Sequence, residues 1–403
     1  MTRTTRRPAA EAVTFPTARQ RPLDPPDELG RWRREAPLLR LAYPDGHLGW
    51  LATRFATVRA VLADPRFSNR AELTHVPVGR SARELSSLRF PPGMFLRMDP
   101  PEHTRYRRLL AGQFTVRRMR LLEPRIARLA AGLLEEMAAA GPPADLVRAY
   151  ALPLPSLVIC ELLGVPYRDH DRFQRDSATL LGLERGPEEK IAALDGLLAY
   201  LADLVRHKRD EPGDDLLSGL VATGGLTEEE MTGVACLLLV AGHETTANMI
   251  ALGTFTLLQH PDRLAAVRDD PDVATTAVEE LLRYLTIVHI GPTRTALEDV
   301  ELAGRTIRAG ETVTVSLAAA NRDPEWFDRP DELDVRRPPA PHLAFGHGVH
   351  QCLGQQLARI ELRIALPALL RRFPGLRLAV PPGEVPMRTD MNIYGVHRLP
   401  VTW

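Results

Sequence analysis

A stretch from Thr227 to Pro261 reads as one long helix, and its length constrains everything packed around it. Thr227 can cap the first turn while Glu230, three residues on, reaches back to it, and Pro261 marks the far end. At roughly 1.5 Å per residue, Glu228 to His260 spans about 50 Å, enough to cross a whole domain. From Val234 to Ala241 the helix is apolar on every face, as a fully buried helix must be. Then Ala241, Gly242, His243, Glu244, Thr245 and Thr246 place an acid and two hydroxyls at the centre of the rod. Buried polar groups cost free energy unless satisfied, and Gly242 costs a further 1 kcal/mol or about that relative to Ala. Two readings are open. One is a back-bonded Thr and a locally paired Glu that kink the helix; the other is a groove holding a proton-delivering pair beside a reaction centre. His243 reads as structural, with a substrate or relay contact as the alternative.

The remainder of the 403 residues supports a mainly α fold with small β-sheets. Helical periodicity is clearest at 101–112, 120–140, 187–209, 227–260, 274–285 and 354–372. Strand signals are short: 49–53, and a hairpin-like pair at 301–307 and 312–316 broken at Ala309 and Gly310. The 35 prolines punctuate the chain throughout and no repeat or Pro/Gly/Ser-rich boundary divides it. Residues 21–403 therefore read as a single domain behind a flexible, Arg-rich arm at 1–20.

Charge and cysteine usage remove several function classes. The 51 basic residues cancel the 51 acidic ones, leaving no global basic field for nucleic acid. The longest apolar run, Val234 to Gly242, is about half the roughly 20 residues that span a bilayer, so no membrane helix is expected. The Arg-rich N-terminus lacks the apolar stretch of a secretory signal. Three cysteines at wide spacing, Cys160, Cys236 and Cys352, cannot form a disulfide framework, and a cytoplasmic location follows. Lys190 and Lys208 are the only lysines, which reads as codon bias.

The densest signal is Phe345, Gly346, His347, Gly348, Val349, His350, Gln351, Cys352, Leu353, Gly354, placed just before a helix running to Arg372. Its glycines allow a tight loop whose amides can face a ligand, and a cysteine at a helix N-terminus is biased towards the metal-binding thiolate. Two metal readings compete. His342, His347, His350 and Cys352 could hold zinc, although a lone thiolate makes a poor structural site. The alternative is haem iron on a single Cys thiolate. Cys160 and Cys236 lie on apolar helix faces and read as small buried hydrophobes.

Phe345 to Gly354 resembles the haem-ligand loop of the cytochrome P-450 family of haem-thiolate monooxygenases, Phe-Gly-x-Gly-x-His-x-Cys-x-Gly, at every fixed position. Ala241 to Thr246 is similar to that family's oxygen-activating segment, and Glu280 to Arg283 to its Glu-x-x-Arg motif. The resemblance covers about residues 25 to 403, in the soluble bacterial class, and no motif position departs from it.

The resemblance implies a single-domain helical fold with haem b between the long helix and the helix after Cys352. It makes Cys352 the axial thiolate. His103, Arg107, Arg294 and His350 become a clamp for the haem propionates, with Ala241, Phe345, Gly346 and Gly354 also at the cofactor. Glu244 and Thr245 become the acid–alcohol pair that delivers protons to dioxygen, and Glu280 and Arg283, joined by Arg337, a structural core pair. Electrons are expected from a ferredoxin and its NAD(P)H-dependent reductase, docking near Arg105, Arg108, Arg117 and Arg118 on a monomer. A lid at about 70–96, loosened by Pro77, Gly79, Pro91, Pro92 and Gly93, would roof the pocket with helices around 170–205, and Thr286 to Gly291 and Asn392 to Gly395 would complete it. The substrate is expected to be a hydrophobic small molecule, such as a polyketide, macrolide or peptide of secondary metabolism. Oxidative coupling, peroxide use and non-catalytic haem binding are the alternatives.

Overall fold

The computed structural model describes residues 12–79 and 90–403. Its axis is the helix Glu228–Leu258, closed at the start by the expected capping box: Glu230 N–H donates to Thr227 Oγ1 (3.2 Å) and Thr227 N–H to Glu230 Oε2 (2.8 Å). It stops two residues before His260. By length and hydropathy this helix could span a bilayer, a possibility that the count of uninterrupted apolar residues missed. It is instead a core helix: 72% of its most apolar 18-residue window is buried inside the protein.

Helices Pro153–Leu163, His170–Leu181, Pro187–Asp210 and Gln355–Arg372 pack against this axis. Gly242 exists for this packing: a Cβ there would sit 2.7 Å from Ile159 Cδ1. Four other helices matter below: Glu102–Ala111, Val116–Leu121, Glu123–Ala140 and Pro271–Leu285. Their apolar faces join the largest hydrophobic cluster.

The β part is a five-stranded sheet in the order β1 (Leu38–Ala42), β2 (Leu48–Ala52), β8 (Thr312–Val315), β5 (Thr293–Ala296), β3 (Phe67–Ser68), with smaller sheets elsewhere. The expected hairpin is corrected here. Strand β6 (Val300–Leu302) pairs with β7 (Arg305–Ile307) around Ala303 and Gly304, both at positive φ. Thr312–Val315, buried at every position, joins the larger sheet between β2 and β5.

Two segments expected to move are held. The call on residues 1–11 of the arm lies outside the described residues, but Val13 N–H donates to Arg40 O (2.9 Å) and Phe15 is buried. Within the lid, residues 80–89 are likewise outside the described residues. Its far end is pinned: a Cβ on Gly93 would lie 2.1 Å from Glu230 O, and one on Gly233 would lie 1.9 Å from Pro92 O. Backbone thus touches backbone there, and Pro91 to Gly93 serve as an anchor.

Candidate active site

The Phe345 to Gly354 loop is folded by its own backbone. Cys352 N–H donates to Phe345 O (2.9 Å), and Gly346 and Gly348 take φ of 70° and 74°. At Gly348 a Cβ would also sit 2.4 Å from Leu62 O, so neither conformation nor space admits a side chain. Arg359 stacks its guanidinium 4.5 Å from the Phe345 ring centre and donates to Glu279 Oε1 (2.7 Å), fixing the loop to helix Pro271–Leu285.

Cys352 has accessible surface although protein atoms surround its thiol densely. The helix behind it begins only at Gln355. Burial therefore pushes the thiol up from its ordinary pKa, against the pull of the Gly354 amide, Arg107 and Arg359. The expected net lowering by a helix N-terminus is corrected: desolvation wins until a metal neutralises the sulfur. The zinc alternative finds no geometry, since the histidines take separate partners. His342 bonds Glu279 (3.1 Å) and His347 accepts from Arg59 (3.3 Å), while His350 packs tilted against His103 with ring centres 4.2 Å apart.

Around that histidine pair the structure gathers positive charge. His103 and Arg107 project from helix Glu102–Ala111, Arg294 from β5, and Arg97 from the turn Phe95–Arg97. Burial, Arg107 and Arg294 hold His103 down at about 4, and burial, Arg294, His103, Arg107 and Arg97 hold His350 at about 3. Burial and Arg97 bring Arg294 to about 10. None of the three guanidiniums has a carboxylate partner among the described residues. The acid in electrostatic reach, Asp99, is already taken by Ser68 Oγ and the Asn69 amide. Nδ1 of His103 and of His350 are both buried without a partner. Such a cluster is costly alone and fits a bound dianion. Arg97 was not anticipated, because a single Arg in an irregular segment carries no pattern.

On the central helix, Ala241 is exposed between half-buried Val240 and Gly242. Thr245 Oγ1 donates to Ala241 O (2.9 Å), and Glu244 is buried, accepting from Arg388 Nη2 (3.1 Å) and Asn248 Nδ2 (3.3 Å) on the same oxygen. The back-bonded Thr and paired Glu of the first reading are thus present, on a face that is also open. Sequence reading missed Arg388 and Asn248. His243 donates from Nδ1 to Leu239 O (2.7 Å) and stands edge-on to Phe173.

Glu280 and Arg283 form a two-bond pair (2.7 and 2.7 Å), with Arg337 on the same carboxylate (3.1 Å). Arg283 also donates to Asn321 O (2.8 Å), and Asn321 Oδ1 accepts from Leu343 N–H (2.7 Å) two residues before Phe345. The network therefore reaches the cysteine loop. Of the basic face, Arg105 is taken by Glu230, whereas Arg108, Arg117 and Arg118 are exposed without carboxylate partners among the described residues. The segments 286–291 and 392–395 pair directly: His289 N–H donates to Asn392 O (3.0 Å) and Tyr394 N–H to Ile287 O (2.8 Å).

Comparison with known proteins decides the family. The cytochrome P450 family matches residues 204–401. Cytochrome P450 105C1 of a Streptomyces species is 54% identical, covering 98% of this chain and 99% of that protein. The chain belongs to the cytochrome P450 family. Pentalenic acid synthase of Streptomyces avermitilis is 48% identical over 97% of both chains. The crystal structure of CYP105P1 in complex with filipin I superposes with a TM-score of 0.93 at 45% identity, covering 98% of this chain and 99% of that one. As a cytochrome P450 the protein is a haem-dependent monooxygenase with the family's mainly helical fold, and P450 proteins bind haem through a cysteine thiolate. The residues present fit that group. Cys352 is exposed, and guanidiniums without a carboxylate partner among the described residues, beside two orphaned imidazole nitrogens, suit an anionic group.

Proposed function

We propose that Cys352 ligates the haem iron and that Arg97, His103, Arg107, Arg294 and His350 hold its propionates, in a monooxygenase acting on a hydrophobic natural product. The observation that carries this is the gathering of Arg97, Arg107 and the buried Arg294, without a carboxylate partner among the described residues, around His103 and His350 and beside an exposed cysteine. Arg107 lies close enough to Cys352 for its charge to act on the thiol, so clamp and ligand belong to one site. Ala241, Phe345, Gly346 and Gly354 supply the close backbone approach a flat cofactor needs, and Glu280, Arg283 and Arg337 hold the loop in register.

Haem, when bound, supplies the reductive activation of dioxygen and the power to insert one oxygen atom into the substrate. The protein's part is to move protons and exclude loose water. Thr245 Oγ1 can leave Ala241 O and present its hydroxyl to the open side of the helix. Glu244, on the preceding residue, accepts a proton from solvent and hands it on through that hydroxyl. Arg388 and Asn248 keep the carboxylate aimed. Bacterial P450s of this type draw electrons from a ferredoxin and its reductase; here Arg108, Arg117 and Arg118 form the surface offered to an acidic ferredoxin. Free cysteines and the buried apolar helix support a cytoplasmic location, and residues 21–403 act as one unit.

The direct test is the reduced CO complex. The parent shows the red-shifted Soret band of thiolate ligation, and Cys352→Ser loses it; a band that survived would overturn the assignment. Haem content after desalting tests the clamp separately, falling in Arg97→Leu and Arg294→Leu.

A further inference from the structure

A cavity of about 840 Å³ opens between residues 76–79, the turn 183–187 and the segment 389–392. Its wall is tied together by backbone: Leu183 N–H donates to Asp390 O (2.8 Å) and Asn392 N–H to Leu181 O (2.9 Å). Val76, Val78, Leu183 and Pro187 give it an apolar lining, and Lys190 enters it from the first turns of helix Pro187–Asp210.

Lys190 is out of place as a structural residue. It is 7% exposed, yet among the described residues its ammonium has no hydrogen-bond or carboxylate partner. Burial moves its pKa downwards. The other lysine of the chain, Lys208, is tied to Asp215 at 2.7 Å. The remaining charged lining groups are engaged or face solvent. Arg185 pairs with Glu189 (3.3 Å), Asp390 with His397 (2.7 Å), and Glu184 is exposed at the rim. Beyond the floor, Arg388 is committed to Glu244 (3.1 Å) and cannot serve a ligand without releasing it.

An ammonium on a largely buried side chain that opens into a cavity, with no carboxylate partner among the described residues, is a favourable place for a ligand to supply the charge. We propose that Lys190 is the anchor for a carboxylate carried by the substrate, so that the enzyme takes hydrophobic acids, held by their charged end at this cavity. The inference rests on the oxygenase reading above and deepens it. The apolar lining receives the body of the molecule. A compact ammonium suits a single carboxylate oxygen, whereas the planar guanidinium used almost everywhere else in this chain favours two-point contacts.

Matched probes test it on the haem-loaded protein: dodecanoate and deoxycholate, each against its methyl ester, with binding read by calorimetry and by the Soret shift. The parent should bind each acid about tenfold or more tighter than its ester, the size of one charge-assisted hydrogen bond. Lys190→Met brings that ratio to about one with ester affinity unchanged, Lys190→Arg keeps most of it, and Glu184→Gln leaves it intact, as expected of one salt-bridge-sized contribution. Parity of acid and ester in the parent, absence of acid binding altogether, or a preference that survives Lys190→Met overturns the proposal. Failure of the haem reading would show separately as a missing CO band, and calorimetry reads the acid preference without it.

Discussion

Glu244 illustrates what a single buried charge demands. Its carboxylate is 4% exposed and meets Arg388, which is 11% exposed. Removing one member of such a pair strands the other, so Arg388→Leu should cost about 3 kcal/mol of stability, and Glu244→Gln added to it should recover much of the loss. Chemical denaturation of both variants and the double mutant measures this. Thr245→Ala should act on chemistry alone: with no hydroxyl to relay, NADH is still consumed while product falls and hydrogen peroxide accumulates. Coupling equal to the parent would remove Thr245 from the relay. Both residues were legible because they interrupt an apolar run. Arg388 was not, since its partner lies 144 positions away and nothing local marks it.

Among the elements, periodicity located the five longest helices, and the capping box placed the start of the central one. It missed shorter ones: Asp27–Glu35 and His170–Leu181, whose faces do differ, and Pro153–Leu163 and Leu216–Thr223, which are apolar with little contrast between faces. The hairpin was misplaced because Ala309–Gly310 and Ala303–Gly304 carry equal turn chemistry, and only tertiary pairing chooses between them. Contact of the 91–93 segment with the central helix was invisible for the same reason. It yields a prediction opposite in sign to helix propensity. Gly233→Ala, worth about 1 kcal/mol of gain in an exposed helix, should instead destabilise by about 2 kcal/mol. It should also expose the segment near Met94 to limited proteolysis; a gain in melting temperature would show that the contact is slack.

At the scale of the whole molecule, neutral net charge conceals local fields. Reduction by an acidic ferredoxin should slow as ionic strength rises, and Arg117→Glu with Arg118→Glu should weaken that dependence; salt-independent kinetics would place docking elsewhere. Acid sensitivity follows from Glu279, which is partly buried. That raises its pKa, but His342 and Arg359 outweigh the effect and hold it at about 2. A depressed carboxyl contributes its full stabilisation above the ordinary value near 4.5 and loses it as pH falls towards 2. Melting temperature should decline across that window, and Glu279→Gln should flatten the decline.

The cluster of Arg97, His103, Arg107, Arg294 and His350 has a consequence for how the protein comes into being. The three guanidiniums of the cluster, with no carboxylate partner among the described residues, repel one another, so the polypeptide and its cofactor are linked equilibria, and whatever binds only the folded chain raises the folded fraction by mass action. A host short of haem precursor should accumulate this chain as aggregate or proteolytic fragments, and feeding 5-aminolevulinate during expression should raise the soluble yield together with the absorbance at the Soret band.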